Sequence, residues 1–271
     1  MRIATPLDQP RAIGAAKVSA KYRDGGSHIG DLRQSGALRV LFPRLKNHVE
    51  AVLINTAGGI TGGDQFRVDA CAGEDARLTL TTQAAERAYR AQAGQTGALV
   101  THLKAAERSV LHWLPQETIL YEGAALQRSL RADIAPGARF LMVEPVLFGR
   151  RAMGEELHDA SFTDRVDIRR AGTPLYRDGL SLSGDIAAQL DRPAIAGGAR
   201  AMANLVWVAP EAEGALDGLR DLIGACGGAS LLRPGLLVAR LLAEDGYALR
   251  RALLPCLDRL TGNTLPQSWR L

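Results

Sequence analysis

The sequence AVLINTAGGITGGDQFRV, residues 51–68, joins an apolar run to a second strand-like run through a segment that contains four glycines. Gly58, Gly59, Gly62 and Gly63 suit a backbone that turns sharply or approaches another segment closely. The segment is not a P-loop because no Gly-Lys-Ser/Thr follows it. It is not a dinucleotide-binding fingerprint either, because a strand and not a helix comes next. The stretch therefore predicts two strands joined by a tight bend.

Strand-like alternation of apolar and polar residues extends outward from this bend over most of residues 15–210. It is clearest in residues 77–82, 110–114 and 166–168, and residues 140–143 and 205–208 add continuous apolar runs. Turn signals separate such runs at intervals typical of an all-β architecture, among them Asp24-Gly25-Gly26, Pro136-Gly137, Asp178-Gly179 and Gly197-Gly198. We interpret residues 205–208 as the last strand.

The last quarter of the chain has a helical period instead. One helix is predicted from Leu216, Leu219, Leu222 and Ile223, with its end at Gly227-Gly228. A second helix is predicted from Leu249, Leu253, Leu257 and Leu260, between an N-cap at Asp245 and a final Gly262. The prediction is a mainly β fold, in which a single β-rich domain spans residues 1–271. It has an N-terminal tail at residues 1–14 and two helices toward the C-terminus.

Composition and charge argue against several functional classes. The chain has 33 basic and 29 acidic residues, and only four of the basic residues are lysines. No basic run exceeds two residues and aromatic residues make up 5% of the chain, so we expect no nucleic-acid partner. No apolar run is long enough to span a bilayer, and the first ten residues lack a signal-peptide pattern, so we expect no membrane. Three widely spaced cysteines favour a reducing cytoplasm over a disulfide framework.

Five blocks of residues, taken together, resemble a known family. They are Gly58-Gly59-Ile60-Thr61-Gly62-Gly63-Asp64, the segment 80–90 with its Tyr89-Arg90 ending, Trp113-Leu114-Pro115-Gln116-Glu117, Gly149-Arg150-Arg151-Ala152-Met153-Gly154-Glu155, and the closing Leu265-Pro266-Gln267-Ser268-Trp269-Arg270. In order and spacing these resemble the blocks of the urease accessory protein UreD family, also called UreH. The resemblance covers the chain from about residue 15 to its end.

Membership of that family implies a non-catalytic scaffold for urease maturation. It implies binding to apo-urease together with UreF and UreG, so that nickel reaches the buried urease site, with GTP hydrolysis left to UreG. It also implies strands stacked in a superhelical arrangement and an internal tunnel for nickel. No tightly bound cofactor is implied, because nickel would only be in transit.

Carboxylates in or beside the family blocks are our candidates for weak nickel-transit or tunnel residues, because nickel accepts oxygen ligands and weak sites can release it. They are Asp64, Glu86, Glu144 and Glu155. The glycines Gly58, Gly59, Gly62 and Gly63, with Asp64 and Arg150, form the structural motif. A purely structural role is an equal alternative: Asp64 would cap the glycine turn, and Arg150 would pair with Glu144 or Glu155.

Other chemistry has weaker support in the sequence. The five histidines form no His-x-His or His-x-x-x-His pair, and His112 lies within a strand pattern typical of a packed core residue. No Gly-x-Ser-x-Gly elbow is present. A β-rich enzyme or binding module of unknown substrate is the alternative function.

Overall fold

The computed structural model describes residues 10–270, without the side chain of Cys226. In chain order the strands are β1 (Ile13–Arg23), β2 (Gly26–Gly36), β3 (Leu38–Leu41), β4 (Val49–Asn55), β5 (Gln65–Ala72), β6 (Arg77–Thr82), β7 (Glu86–Ala88), β8 (Gly97–Ala105), β9 (Val110–Leu114), β10 (Thr118–Leu120), β11 (Ala125–Ile134), β12 (Arg139–Phe148), β13 (Ala160–Arg170), β14 (Thr173–Gly184), β15 (Ala201–Val208), β16 (Gly227–Arg233) and β17 (Leu236–Ala243). The α-helices are α1 (Ile186–Asp191), α2 (Ala212–Ile223) and α3 (Gly246–Thr261).

The strands form two sheets, and the chain alternates between them as a coil. In sheet A, β1, β5, β8, β11 and β13 are parallel neighbours, and the antiparallel strands β2 and β14 close the two ends. In sheet B, β4, β6, β9 and β12 are parallel neighbours, followed by the antiparallel strands β15, β17 and β16. The predicted mainly β fold of stacked strands in a helical arrangement is confirmed.

The first hydrophobic core lies between the two sheets. In β5, Phe66 and Val68 are buried while Gln65 and Arg67 are exposed, because successive side chains of a strand point to opposite faces. Leu80 of sheet B belongs to the same buried cluster as these interior residues of sheet A. Burial of one face of each strand against the other sheet therefore explains the alternation in the sequence.

A second core lies on the opposite face of sheet B, which α2 and α3 cover. Leu219 of α2 and Leu253 of α3 are buried together with Leu205 and Trp207 of β15. Every residue of β15 is buried, since one face meets sheet A and the other meets the helices. The apolar stripes that predicted the two helices thus pack against the sheet.

The closing block at residues 265–270 contacts the block at residues 113–117, and Arg250 of α3 contacts both. Trp269 is fully buried, and its indole Nε1 donates a hydrogen bond to the carbonyl of Leu114 at 3.0 Å. The guanidinium of Arg250, on α3, lies 5.2 Å from the centre of the Trp269 ring and donates to both carboxylate oxygens of Glu117, at 3.1 and 3.0 Å. These contacts fix the end of the chain and α3 to sheet B.

The helix predictions are confirmed at α3 and corrected at α2. The Asp245 side chain accepts a hydrogen bond from the amide of Ala248 at 2.8 Å, and Gly262 ends α3 in the left-handed conformation. Helix α2 already ends at Ile223, and Gly227-Gly228 begins β16. The prediction that residues 205–208 are the last strand is wrong, because β16 and β17 follow. Strand β17 has apolar residues on its partly exposed face as well as on its buried face, and so its sequence shows no clean alternation.

Three smaller differences concern the ends and turns. Asp178-Gly179 lies inside β14, and the preceding turn is made at Ala171 and Gly172, whose φ angles are positive. The short helix α1 has no counterpart in the sequence prediction. Of the predicted tail at residues 1–14, residues 1–9 lie outside the described part and β1 begins at Ile13. No helix within residues 10–270 combines the length and apolar character needed to cross a bilayer.

Candidate functional site

A cavity of about 140 Å³ lies between the two sheets. Arg128 lines it from sheet A, and Trp113 and Glu144 line it from sheet B. Glu86 and the exposed residue Arg87 line the same cavity, so it extends from the surface into the interior. The cavity therefore connects solvent with buried charged side chains.

The innermost charged group contains one guanidinium and two carboxylates. Arg128 and Asp164 are register partners on the parallel strands β11 and β13, and both side chains face the interior. Arg128 donates from Nε to Asp164 Oδ1 at 3.0 Å and from Nη2 to Oδ2 at 2.6 Å. Its Nη1 also donates to the hydroxyl of Thr118 at 3.3 Å. This two-point contact holds Asp164 and the guanidinium in one plane.

Glu144, on β12, reaches the same group from sheet B and is 2% exposed. Its Oε1 accepts a hydrogen bond from the indole of Trp113 at 3.0 Å. Its Oε2 lies 3.6 Å from Arg128 Nη2, which is within ion-pair range but too long for a hydrogen bond. Within the described residues Oε2 has no hydrogen-bond partner. One buried carboxylate oxygen is therefore free to accept a further ligand.

The charge of this group does not balance when both carboxylates are ionised, because Arg128 supplies one positive charge against two negative charges. Burial raises the pKa of Glu144 to about 7, against the opposing effects of Arg128 and the Trp113 hydrogen bond, and Asp164 raises it further. Near neutral pH the group therefore exchanges between a neutral form, with Glu144 protonated, and a form with one net negative charge. A bound cation would stabilise the second form.

Glu86 lies at the outer part of the cavity. Asn55 Nδ2 donates to both of its carboxylate oxygens, at 3.1 and 3.2 Å, and also to the carbonyl of Gly59 at 2.9 Å. The amide of Arg87 donates to Glu86 Oε1 at 3.2 Å. Burial raises the pKa of Glu86 to about 7 in spite of these hydrogen bonds. A second carboxyl group that titrates near neutral pH is thus present along the cavity.

Asp64 does not line the cavity; it holds the glycine segment in place. Its Oδ2 accepts from the amide of Thr61 and its Oδ1 from the amide of Ala12, both at 2.8 Å. Gly59 is required for a close approach, because a Cβ there would lie 2.3 Å from the Tyr89 ring. Gly58, with φ of 79°, lines the cavity with its backbone. The other two glycines of the motif, Gly62 and Gly63, lie in the turn before β5.

Glu155 also lies outside this cavity, on a separate surface depression. Arg150 donates from Nε and Nη2 to its two carboxylate oxygens at 2.8 and 3.0 Å, and the Arg150 amide donates at 3.2 Å. The Arg150 guanidinium lies 4.1 Å from the centre of the Tyr121 ring. The hydrogen bond from Arg150 lowers the pKa of Glu155. The partner of Arg150 is Glu155 and not Glu144.

Of the four candidate carboxylates, the structure thus brings Glu86 and Glu144 to the cavity and leaves Asp64 and Glu155 outside it. Sequence reasoning missed Arg128 and Asp164. The sequence carries a signal for Arg128, a charge at a position where β11 alternation predicts an interior side chain. Within residues 10–270 no three His, Cys, Asp or Glu side chains are grouped closely enough to form a metal site. The group is a charged interior site and not a preformed metal centre.

Comparison with known proteins agrees with the resemblance noted in the sequence. The family described as UreD urease accessory protein matches residues 12–270. A urease accessory protein UreD from Roseobacter denitrificans is 65% identical over 271 residues, covering 100% of this chain and 99% of its own length. Proteins of the same name from Ruegeria sp. and Methylobacterium sp. are 53% and 45% identical, covering 97% and 96% of this chain and 91% and 93% of their own lengths. The chain therefore belongs to the UreD family of urease accessory proteins.

Proposed function

We propose that this chain is a non-catalytic scaffold of urease maturation that binds apo-urease together with UreF and UreG in the cytoplasm and passes nickel through its interior. The observation that supports the nickel route best is Glu144 Oε2 at the inner end of the cavity, which has no hydrogen-bond partner among residues 10–270. Nickel is the cargo here and not a resident cofactor. GTP hydrolysis would belong to UreG.

The charge of the interior group suits a cation in transit. With Glu144 ionised, Arg128 neutralises only one of the two buried carboxylates, so an incoming cation would balance the charge of the other. Nickel accepts carboxylate and water oxygens, and a site with few protein ligands would release it readily. Glu86 would offer a similar oxygen site nearer the surface. The cavity thus has two weak sites in series, without a tight metal centre.

Glu144→Gln tests the nickel route directly. The variant keeps the size of the side chain and its contact with Trp113 but removes the negative charge. We expect it to assemble normally with apo-urease, UreF and UreG on size-exclusion chromatography. The nickel content and activity of the urease after incubation with nickel and GTP should fall several-fold.

Glu50→Gln is the matched control, because Glu50 is also a buried carboxylate of sheet B but does not line the cavity. It should leave both assembly and nickel transfer unchanged. Full urease activation by Glu144→Gln would contradict the nickel route. Failure of the wild-type chain to bind any of the three partners would contradict the scaffold function itself.

The helices α2 and α3 are the proposed contact with UreF. Most of the leucines that define their helical period are buried against sheet B, so the contact must use other residues. Leu222 is 39% exposed on α2, and Tyr247 is 76% exposed on α3. Leu222→Glu and Tyr247→Glu should abolish capture of UreF without lowering the melting temperature. Ile195→Glu, at an exposed apolar residue outside both helices, is the control, and unchanged capture by the helix variants would contradict this contact.

A further inference from the structure

The outward face of sheet A carries charged side chains in register across the strands. One row runs from Lys17 on β1 through Asp69, His102, Arg131 and Asp167 to Arg177 on β14. The two adjoining rows add Arg67, Arg165, Lys104, Asp133 and Arg169. We call this set of residues the basic face. It has seven lysines and arginines against three aspartates, an excess equal to the +4 net charge of the whole chain.

The three aspartates of the basic face are all neutralised by arginines of the same face. Arg67 donates to Asp69 at 2.7 and 2.8 Å, and Arg131 donates to Asp133 at 3.2 and 3.3 Å. The third aspartate, Asp167, accepts from two arginines, Arg169 at 3.0 Å and Arg177 at 3.2 Å. The local pairs therefore engage all three aspartates of the basic face.

Three exposed cations are left over. Lys17, Lys104 and Arg165 form no ion pair within residues 10–270. They lie on β1, β8 and β13, which are every second strand of the sheet, so the strands that carry neighbouring members are about 10 Å apart. The intervening strands β5 and β11 carry the neutral Arg67–Asp69 and Arg131–Asp133 pairs. The basic face thus presents an unmatched positive charge on every second strand, with the three charges staggered along the strand direction.

The basic face is concave. Two adjoining depressions of about 360 and 550 Å³ lie over it and share His102 and Arg131. Lys17 and Lys104 line the first, and Arg165 lines the second. The three unpaired cations therefore border one continuous trough.

We propose that this trough is a docking site for an acidic protein surface, one with carboxylates spaced to meet Lys17, Lys104 and Arg165. The proposal rests on the scaffold function above and adds the location and charge of one partner contact. Complementary charge steers association and selects partners. A nucleic acid fits less well, because three carboxylates interrupt the cations and the basic face includes no Phe, Tyr or Trp for base stacking.

The test is a variant that neutralises the trough, Lys17→Gln with Lys104→Gln and Arg165→Gln. The matched control, Arg44→Gln with Arg192→Gln and Arg233→Gln, changes the net charge equally at exposed arginines outside sheet A. The affinity of each variant for apo-urease, UreF and UreG is measured separately between about 50 and 300 mM salt, because electrostatic screening increases strongly over this range. All substituted residues are exposed, and circular dichroism would verify the fold.

We expect the trough variant to lose about tenfold or more in affinity for one of these partners at low salt, and to lose most of its salt dependence for that partner. The control should behave as the wild-type chain does. If the wild-type chain binds but the trough variant binds all three partners equally well, the docking site is wrong and the scaffold function stands. Binding of each chain to a 20-base-pair DNA duplex, about two helical turns, is measured as well. If the trough variant keeps all three protein partners but loses DNA binding that the wild-type chain has, the trough binds nucleic acid and the proposal is wrong.

Discussion

Two arginine–carboxylate groups in this molecule use the same chemistry in opposite surroundings. Inside the coil, Arg128 faces both Asp164 and Glu144, and all three side chains are almost fully buried. On the surface, Arg150 pairs with Glu155 alone, and 41% of the Arg150 side chain is exposed. The pKa of Glu144 is raised by burial, whereas that of Glu155 is lowered by its partner.

The difference shows which group is suited to exchange a cation. The surface pair is balanced, with each carboxylate oxygen of Glu155 engaged by Arg150, so a further cation has nothing to neutralise. The interior group has one carboxylate in excess and one oxygen without a partner in the described chain. Proximity of an arginine to a glutamate in the sequence does not distinguish the two groups. They differ in the burial of their side chains and in the number of carboxylates for each arginine.

Replacement of Arg128 by methionine should produce the largest effect. The substitution would leave Asp164 and Glu144 buried without a counter-charge, which typically costs about 3 to 5 kcal/mol. The free energy of unfolding in urea should fall by that amount at pH 7, and less at pH 5, where Glu144, whose pKa burial already raises, is protonated. Arg150→Met should cost much less because water replaces the lost contact. Equal losses for the two variants would contradict the contrast between the groups.

The pH dependence of stability should identify Glu144 as a carboxyl group with a raised pKa. Between the unfolded value of 4.5 and the folded value of about 7, the folded state binds more protons than the unfolded state. The free energy of unfolding therefore falls as pH rises through this window. Glu144→Gln does not titrate, so the stability of the wild-type chain relative to this variant should decline from pH 5 to pH 7 and then level off.

Urea unfolding of the wild-type chain and of Glu144→Gln, at steps of about one pH unit from pH 5 to pH 8, measures the difference between their free energies of unfolding. Glu86 contributes the same slope to both chains and cancels in the comparison. A difference that stays constant over the range, or grows in favour of the wild-type chain, would show that Glu144 is ionised throughout.

Much of the fold could be predicted from the sequence, because burial of one strand face leaves an alternating pattern. That pattern identified β9 and β13, and the cap residues Asp245 and Gly262 identified α3. Strands β16 and β17 were missed. Apart from Arg240, strand β17 is apolar on both its buried and its partly exposed face, and in the sequence such a run is indistinguishable from part of a helix.

Less of the site could be predicted, because its members meet only through strand register. Proximity to the family blocks predicts Glu86 and Glu144 as site residues, and both lie at the cavity. The same ground predicts Asp64 and Glu155, which lie elsewhere. The pairing of Arg128 with Asp164, 36 residues later in the chain, depends on the alignment of two parallel strands, which no local pattern encodes.

The smallest effect is expected at the surface group, from Glu155→Gln. The loss of stability at pH 7 should be below about 1 kcal/mol, because the partner Arg150 is partly solvated. Since Arg150 lowers the pKa of Glu155, the advantage of the wild-type chain should be present above pH 4.5 and disappear as pH falls through the folded-state value. This slope is opposite in sign to that of Glu144→Gln. Urea unfolding of the wild-type chain and of Glu155→Gln between about pH 3 and pH 7, a range around the ordinary carboxyl pKa, measures this pH dependence.

Nickel transfer to urease by Glu155→Gln should be unchanged. A loss equal to that of Glu144→Gln would instead place Glu155 on the nickel route.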